Sequence, residues 1–174
     1  DASVSEADVI LRDGRVVHLR ALLPADEKEL LEAFERMSED ARYMRFMRSV
    51  REPNVQRLRE ALNSFPEGGS GIVATVPAED GSDIVGSAVF FIEDPTTCEF
   101  AITVQSNFGG AGLASTLLTA LIDAARKRGL ATMEGFVLAA NEPMLRLARR
   151  IGFSVAPDPN DRAIRICRLD LASV

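Results

Sequence analysis

Apolar residues recur along this chain with two periods, one of two residues that indicates strands and one near 3.6 that indicates helices. The first strands flank Asp13-Gly14, a dipeptide that favours a tight hairpin turn. Apolar runs and alternation predict further strands over residues 72–76, 84–92 and 97–104. The same reasoning predicts more strands near the C-terminus, over residues 133–138, 153–155 and 163–171.

Helical spacing of apolar residues predicts helices between and after these strands. The expected helices cover residues 24–37, 38–47, 54–62, 112–128 and 141–150. Gly129 and Gly152 end the last two, since glycine readily adopts the left-handed conformation that closes a helix. We therefore predict an α/β (α+β) fold with a mixed, mostly antiparallel sheet flanked by helices on both faces. Residues 1–7 are expected to form a disordered tail, and residues 8–174 a single domain.

Composition narrows the class of protein without deciding its activity. With 174 residues, 47% hydrophobic and 26% charged, the chain can bury a core of ordinary globular size. Its net charge of −6 disfavours a nucleic-acid binder, and no apolar run is long enough for a membrane span. Cys98, Cys167 and His18 make no metal-ligand pattern, so we expect no metal. Unpaired thiols suit a reducing cytoplasm, and Cys98 is expected to be a packed strand residue rather than a nucleophile.

A glycine-rich segment after the strand over residues 97–104 predicts an anion site. The sequence Gly109-Gly110-Ala111-Gly112-Leu113-Ala114 leads into a long predicted helix, where uncovered backbone N–H groups and the helix dipole favour a phosphate. The lysine that a Walker loop requires after its last glycine is absent. A dinucleotide loop is disfavoured, since Ser115 takes the place of its third glycine. Glu99 lies upstream on the same strand, so a carboxylate accompanies the anion site.

A third loop pattern, Gln/Arg-x-x-Gly-x-Gly/Ala, is that of the acetyl-coenzyme A loop in the GNAT superfamily of N-acetyltransferases. Gly112 and Ala114 occupy its two small positions, whereas Gly109 stands where Gln or Arg is usual. A second segment of the superfamily is matched by Asn141, Met144, Ala148, Gly152 and Phe153. The sequence therefore resembles GNAT enzymes, and is most like the catalytic domain of bacterial Pat-type protein lysine acetyltransferases. Arg12-Asp13-Gly14-Arg15 and Glu99-Phe100-Ala101 are among the segments that carry the Pat likeness.

The resemblance implies acetyl-coenzyme A (acetyl-CoA) as acyl donor and direct transfer of the acetyl group to an amine. The implied cofactor contacts are Ile102, Thr103 and Val104 for the pantetheine arm, Gly109, Gly110, Ala111, Gly112, Leu113 and Ala114 around the pyrophosphate, and Asn141. Glu99 is expected to be the general base, because a lysine with a reference pKa near 10.4 must lose a proton before it attacks. Pat-type enzymes acetylate a lysine of acyl-CoA synthetases, often while fused to a large second domain. The expected partner is therefore such a protein, and neither nucleic acid nor a membrane.

Two other functions stay open, namely acetylation of a small-molecule amine and a non-catalytic module that binds acyl-CoA. Many superfamily members place a tyrosine acid at the position of Ala148 in this chain. Asn141 is equally suited to be a helix N-cap. A run of arginines at near-helical spacing predicts either a solvated helix face or a docking surface for the acceptor protein: Arg42, Arg45, Arg48 and Arg51.

Overall fold

One mixed sheet with helices on both faces makes up the described part of the chain. The computed structural model describes residues 6–37, 43–45 and 55–172. The strands are β1 (Ala7–Ile10), β2 (Val16–Ala21), β3 (Tyr43–Arg45), β4 (Gly69–Ala78), β5 (Gly81–Asp94), β6 (Thr97–Gln105), β7 (Thr132–Leu138), β8 (Ser154–Asp158) and β9 (Asp161–Asp170). The α-helices are α1 (Glu27–Met37), α2 (Val55–Asn63), α3 (Leu113–Lys127) and α4 (Glu142–Ile151).

Near the centre of the sheet, the neighbouring strands β6 and β7 pair over only part of their length. The strand order is β1-β2-β4-β5-β6-β7-β9-β8, with β3 as an additional partner of β6. β6 and β7 are joined through α3 and run parallel, whereas the other paired strands are antiparallel. Their pairing covers Thr97 to Glu99 of β6, opposite Thr132 to Glu134 of β7. From Phe100 and Gly135 onward these two fully described strands no longer pair with each other, so a gap separates them.

Alternation along β5 and β6 sends successive side chains to two separate cores, as the period of two requires. Phe90 and Phe100 point toward α3 and α4 and are fully buried there. Val89 and Ala101 point to the opposite face and pack against α1 and α2, where they meet Phe34. The predicted architecture, with helices on both faces of a mostly antiparallel sheet, is therefore confirmed. The start of α3 belongs to one face, and α1 and α2 cover the other.

The predicted helix over residues 38–47 is wrong where the structure describes it. Tyr43–Arg45 form β3, which pairs antiparallel with residues 103–105 of β6. Beyond its pairing with β7, β6 has an edge whose backbone N–H and C=O groups need partners, and satisfying them outweighs a weak local preference for helix. The rest of that predicted helix lies outside the described residues.

Two further expectations change in the N-terminal half. Arg45 lies on a strand, so it does not belong to the helix face predicted for the arginine run. The other arginines of that run lie outside the described residues: Arg42, Arg48 and Arg51. Ala7 already belongs to β1, where it is opposite Leu19, so the tail predicted over residues 1–7 does not include it. Residues 1–5 are also outside the described part.

Candidate functional site

The loop between β6 and α3 is shaped by two glycines with left-handed backbone. Gly110 and Gly112 have φ angles of +79° and +91°, which residues with a side chain rarely adopt. Phe108 and Ala111 bury their side chains and so anchor the loop to the core. Gly112 is the N-cap of α3, and no side chain caps this helix. The first backbone N–H groups of α3 are therefore free of a capping side chain and point to where an anion would bind.

A cavity of about 200 Å³ lies over this loop. Its lining includes loop residues that the sequence singled out, namely Gly109, Gly110, Gly112, Leu113 and Ala114. Arg146 and Arg150 of α4 line it as well, together with Arg12 from the β1–β2 hairpin. Arginine side chains and an uncapped helix start are both suited to phosphate oxygens, so the residues present fit a coenzyme A pyrophosphate. Arg12 was missed by the sequence analysis, because no local pattern links it to a loop so far along the chain.

α4 places two residues of the superfamily pattern in structural roles. Asn141 is the N-cap of α4, and its side-chain oxygen accepts a hydrogen bond from the Met144 N–H at 3.3 Å. The loop cavity is lined by Pro143 and Met144 from the same turn, whereas Asn141 is not one of its lining residues. Ala148 is completely buried, so the position that often carries a tyrosine acid carries no acid here.

The β6 edge that the pantetheine arm is expected to follow is partly paired within the chain. Thr103 and Val104 lie opposite Arg45 and Met44 of β3, on the side of β6 away from β5. Ile102 lies between the segment of β6 that pairs with β7 and the segment that pairs with β3. An arm that binds along all three residues would therefore meet β3 on the same edge.

Glu99 is the last residue of β6 that pairs with β7 before the two strands part. Its side chain is half-buried and lies on the sheet face covered by α1 and α2, because its neighbours Cys98 and Phe100 point to the other face. Val104, at the loop end of β6, lies five positions after Glu99, a distance of about 17 Å along an extended strand. Glu99 therefore lies where the gap between β6 and β7 begins, and the α3 loop lies beyond the other end of β6.

A second carboxylate, Glu134, lies beside Glu99 in the same cross-strand row. Its side chain is only 15% exposed, and its Oε2 atom accepts a hydrogen bond from Nη2 of Arg168 at 2.9 Å. Arg168 is opposite Glu134 on β9, so two carboxylates and a guanidinium follow one another across three strands. The sequence analysis did not single out Glu134, because residues of separate strands become neighbours only through the register of the sheet.

A larger cavity, of about 490 Å³, opens on the face covered by α1 and α2. Apolar side chains, including Leu62 and Phe65, supply much of its lining. Gly69 of the lining lies opposite Phe91, which in turn lies opposite Glu99. Because neighbouring strands are about 4.8 Å apart, this edge of the cavity is roughly 10 Å from Glu99. The sheet face that carries the candidate base therefore has space for an acceptor.

Cys98 is a core residue, as the sequence predicted. Its side chain is fully buried, and burial, reinforced by the charges of Glu93 and Glu134, raises the pKa of its thiol to about 12. Burial likewise raises the pKa of Cys167 to about 11. Both cysteines are free, and a thiol with such a pKa is protonated near neutral pH. Neither cysteine is therefore suited to act as a nucleophile.

Comparison with known protein families agrees with this geometry. Residues 28–153 match the model of the acetyltransferase (GNAT) family. The chain belongs to the GNAT family. It is accordingly an acetyl-CoA-dependent N-acetyltransferase, whose acceptor the family membership alone leaves open. In the GNAT domain described here, none of the helices is long and apolar enough to cross a membrane.

Two curated bacterial relatives are similar over most of the GNAT domain. Acetyltransferase PA5475 of Pseudomonas aeruginosa is 31% identical over 163 residues, which cover 92% of this chain and 87% of the relative. Acetyltransferase Pat of Mycolicibacterium smegmatis is 29% identical over 153 residues, or 87% of this chain. That match covers 45% of Pat, so this chain spans about half the length of the second relative.

Solved structures share the fold. The GNAT domain of S. lividans PAT superposes with a TM-score of 0.72 at 22% identity, covering 95% of this chain and 96% of that domain. The structure of yncA from Salmonella typhimurium with its cofactor acetyl-CoA gives a TM-score of 0.67, also at 22% identity, and covers 91% of this chain and 95% of yncA. Both comparisons show that this chain shares the overall fold of these structures.

Proposed function

We propose that this GNAT enzyme transfers acetyl from acetyl-CoA directly to a lysine side chain of a protein, with Glu99 as the general base. The observation that carries the proposal is the position of Glu99 at the point where β6 and β7 part. The α3 loop lies on one face of the sheet and Glu99 on the other. A donor bound on the loop side and an acceptor bound on the α1 and α2 side would therefore meet at this gap.

On the donor side, we assign the backbone of residues 109–114 to the coenzyme A pyrophosphate. The left-handed Gly112 and the uncapped start of α3 leave room and hydrogen-bond donors for its oxygens. We assign the β6 edge at Ile102, Thr103 and Val104 to the pantetheine arm, which would bind there as an added strand in place of β3. Asn141 supports the same side by capping α4, whose next residues line the loop cavity.

On the acceptor side, we assign Glu99 the task of removing a proton from the lysine ammonium. The lysine has a reference pKa near 10.4, so its Nζ atom has no lone pair to offer at neutral pH until a base accepts a proton. The Glu99 carboxylate accepts that proton directly or through one water molecule. When bound, acetyl-CoA supplies the thioester carbonyl that the amine attacks and a thiol leaving group with an ordinary pKa near 8.5. A leaving group of that acidity departs without a side-chain acid, which agrees with Ala148 at the tyrosine position.

A protein acceptor is supported by the Pat likeness of the sequence and by the similarity to acetyltransferase Pat. We infer that the acceptor is a lysine of an acyl-CoA synthetase. The cavity that begins roughly 10 Å from Glu99 on the same face offers apolar surface to a protein chain around that lysine. We place the reaction in the cytoplasm, where the free thiols of Cys98 and Cys167 stay reduced.

The decisive experiment incubates the protein with labelled acetyl-CoA and a cytoplasmic extract, and then identifies the lysines that gain label. Glu99→Gln is expected to lower transfer by about a hundredfold or more while coenzyme A affinity stays unchanged, because it removes the base and nothing from the loop. Glu93→Gln, an exposed carboxylate of β5, is the matched control and should behave as the wild type. Near-normal turnover of Glu99→Gln would refute its role as base.

The same experiment separates the alternative functions. Transfer to a small amine, with no labelled protein, would indicate a small-molecule N-acetyltransferase. Coenzyme A binding with no transfer to any amine would indicate a regulatory module that only binds acyl-CoA.

A further inference from the structure

We propose that Arg12, from the β1–β2 hairpin, is a pyrophosphate ligand of the coenzyme A site. It supplies the positive charge that the loop lacks at Gly109, where the superfamily pattern has Gln or Arg. This inference rests on the proposed placement of coenzyme A on the α3 loop. It concerns a residue outside the loop motif, brought to the loop by the fold.

The hairpin turn is fixed against the loop by two hydrogen bonds and a ring contact. The Arg12 N–H donates to the carbonyl oxygen of Ala111 at 3.1 Å. The Arg15 guanidinium donates from Nη2 to the carbonyl oxygen of Asn107 at 2.7 Å, and its central carbon lies 4.0 Å from the centroid of the Phe108 ring. These contacts use the backbone of Arg12 and the side chain of Arg15. They position the hairpin without using the guanidinium of Arg12.

The Arg12 guanidinium lies directly over the start of α3. A methyl group placed on Gly112 would be 3.2 Å from the Arg12 Nε atom and 3.7 Å from its Nη2 atom. Gly112 is the N-cap residue of α3, and no side chain caps this helix. The Arg12 cation and the positive end of the helix dipole therefore face the same space. Two like-signed groups facing one space are suited to an anion carrying more than one negative charge, which describes a pyrophosphate.

Arg12 differs from Arg15 and Arg146, whose side chains lie in ion pairs with carboxylates. Arg15 already pairs with Asp13 at 2.6 Å, and Arg146 lies 3.9 Å from Glu142. Among the residues that the structure describes, no carboxylate lies within ion-pair distance of the Arg12 guanidinium. Arg150 also lines the cavity, but it comes from α4, whereas Arg12 is in contact range of Gly112 itself. Arg12 is therefore the cation best placed for the phosphate next to the α3 N-terminus.

Coenzyme A carries a second phosphate, on the 3′ position of its ribose, so the test uses two ligands. We would measure the dissociation constants of coenzyme A and of 3′-dephospho-coenzyme A by calorimetry. Arg12→Ala is expected to weaken both by about tenfold, since both contain the pyrophosphate and the variant loses one charge-assisted hydrogen bond. The loss should shrink as ionic strength rises, because the site is open to solvent. Arg12→Lys should lose less than Arg12→Ala, because it keeps the charge without the forked donors.

Lys127→Ala is the matched control. It removes one positive charge from the far end of α3, about 20 Å from the loop, where Lys127 pairs with Asp123 and is 60% exposed. It should bind both ligands as the wild type does. An unchanged melting temperature of Arg12→Ala would confirm that the hairpin stays folded, as expected from tethers that do not use the side chain.

Three results would overturn the proposal. The first is binding of both ligands by Arg12→Ala within twofold of the wild type. The second is a loss for coenzyme A but not for the dephospho form, which would assign Arg12 to the 3′-phosphate. The third is an equal loss in Lys127→Ala, which would indicate net charge alone. The assay contains no acceptor, so failure of the proposed lysine transfer would leave these outcomes distinct.

Discussion

Replacing Gly112 by alanine tests whether the α3 loop binds coenzyme A through its backbone. The new methyl group would lie 3.2 Å from Arg12 Nε, at the N-cap of α3. We expect it to crowd the space that a phosphate oxygen needs when it approaches the first N–H groups of this helix. The substitution also forces a side chain onto a residue whose φ angle is +91°. Two effects are therefore combined, backbone strain and a blocked anion site, and they must be separated.

The strain costs about 1–2 kcal/mol, because an L-residue in the left-handed region brings its Cβ too close to the backbone. Part of it is offset, since alanine lowers the conformational entropy of the unfolded chain by about 0.4–1 kcal/mol relative to glycine. A net loss of about 1 kcal/mol lowers the melting temperature of a chain of this length by roughly 2–4 °C. A blocked anion site removes a charge-assisted hydrogen bond worth about 1.5–3 kcal/mol. This corresponds to roughly a tenfold to hundredfold loss of coenzyme A affinity.

Gly129→Ala is the control for the strain. Gly129 has φ of +81°, it lies just after the other end of α3, and a methyl group there would have no atom within 4 Å. Thermal unfolding should show similar losses in both variants, and calorimetry should show weakened coenzyme A binding in Gly112→Ala alone. Equal coenzyme A affinities for the two variants would refute the assignment of this loop to the pyrophosphate.

Two further predictions concern β3 and the start of α1. Pantetheine pairing along Ile102 to Val104 would displace β3, so hydrogen exchange at Tyr43–Arg45 should speed up when coenzyme A binds; unchanged exchange would place the arm elsewhere. Burial by itself would raise the pKa of Asp26, but hydrogen bonds from Arg20 at 2.7 and 2.9 Å and from the Leu23 N–H outweigh it and hold that pKa below its usual range. A lowered folded-state pKa stabilises the protein above the unfolded pKa, near 3.9, and this stabilisation is lost as pH falls through the folded value. Asp26→Asn should therefore be less stable than the wild type at neutral pH, with a gap that narrows in acid; a constant gap in unfolding free energy would contradict this.

Short-range sequence patterns determined most of the helices and strands of the fold. The Asp13-Gly14 turn, the glycines after α3 and α4, and the helical spacing within both helices lie where the structure has them. Such features depend on backbone preferences and on side-chain periods within a few residues, which any stretch of sequence carries. The segment over residues 38–47 marks the limit of that reasoning. Tyr43–Arg45 form the strand β3 and not the predicted helix, because the edge of β6 supplies hydrogen-bond partners for their backbone.

The candidate site divides in the same way. The sequence by itself determined the glycine loop and the carboxylate of Glu99, because a motif and a strand pattern are written in consecutive residues. Only the tertiary structure decided that Arg12 lies against Gly112, and that Glu134 lies beside Glu99 with Arg168 bound to it. It also decided that β6 and β7 separate directly after Glu99. These neighbours are set by strand register and by the docking of a hairpin on a loop, which are relations between distant segments that no local pattern records.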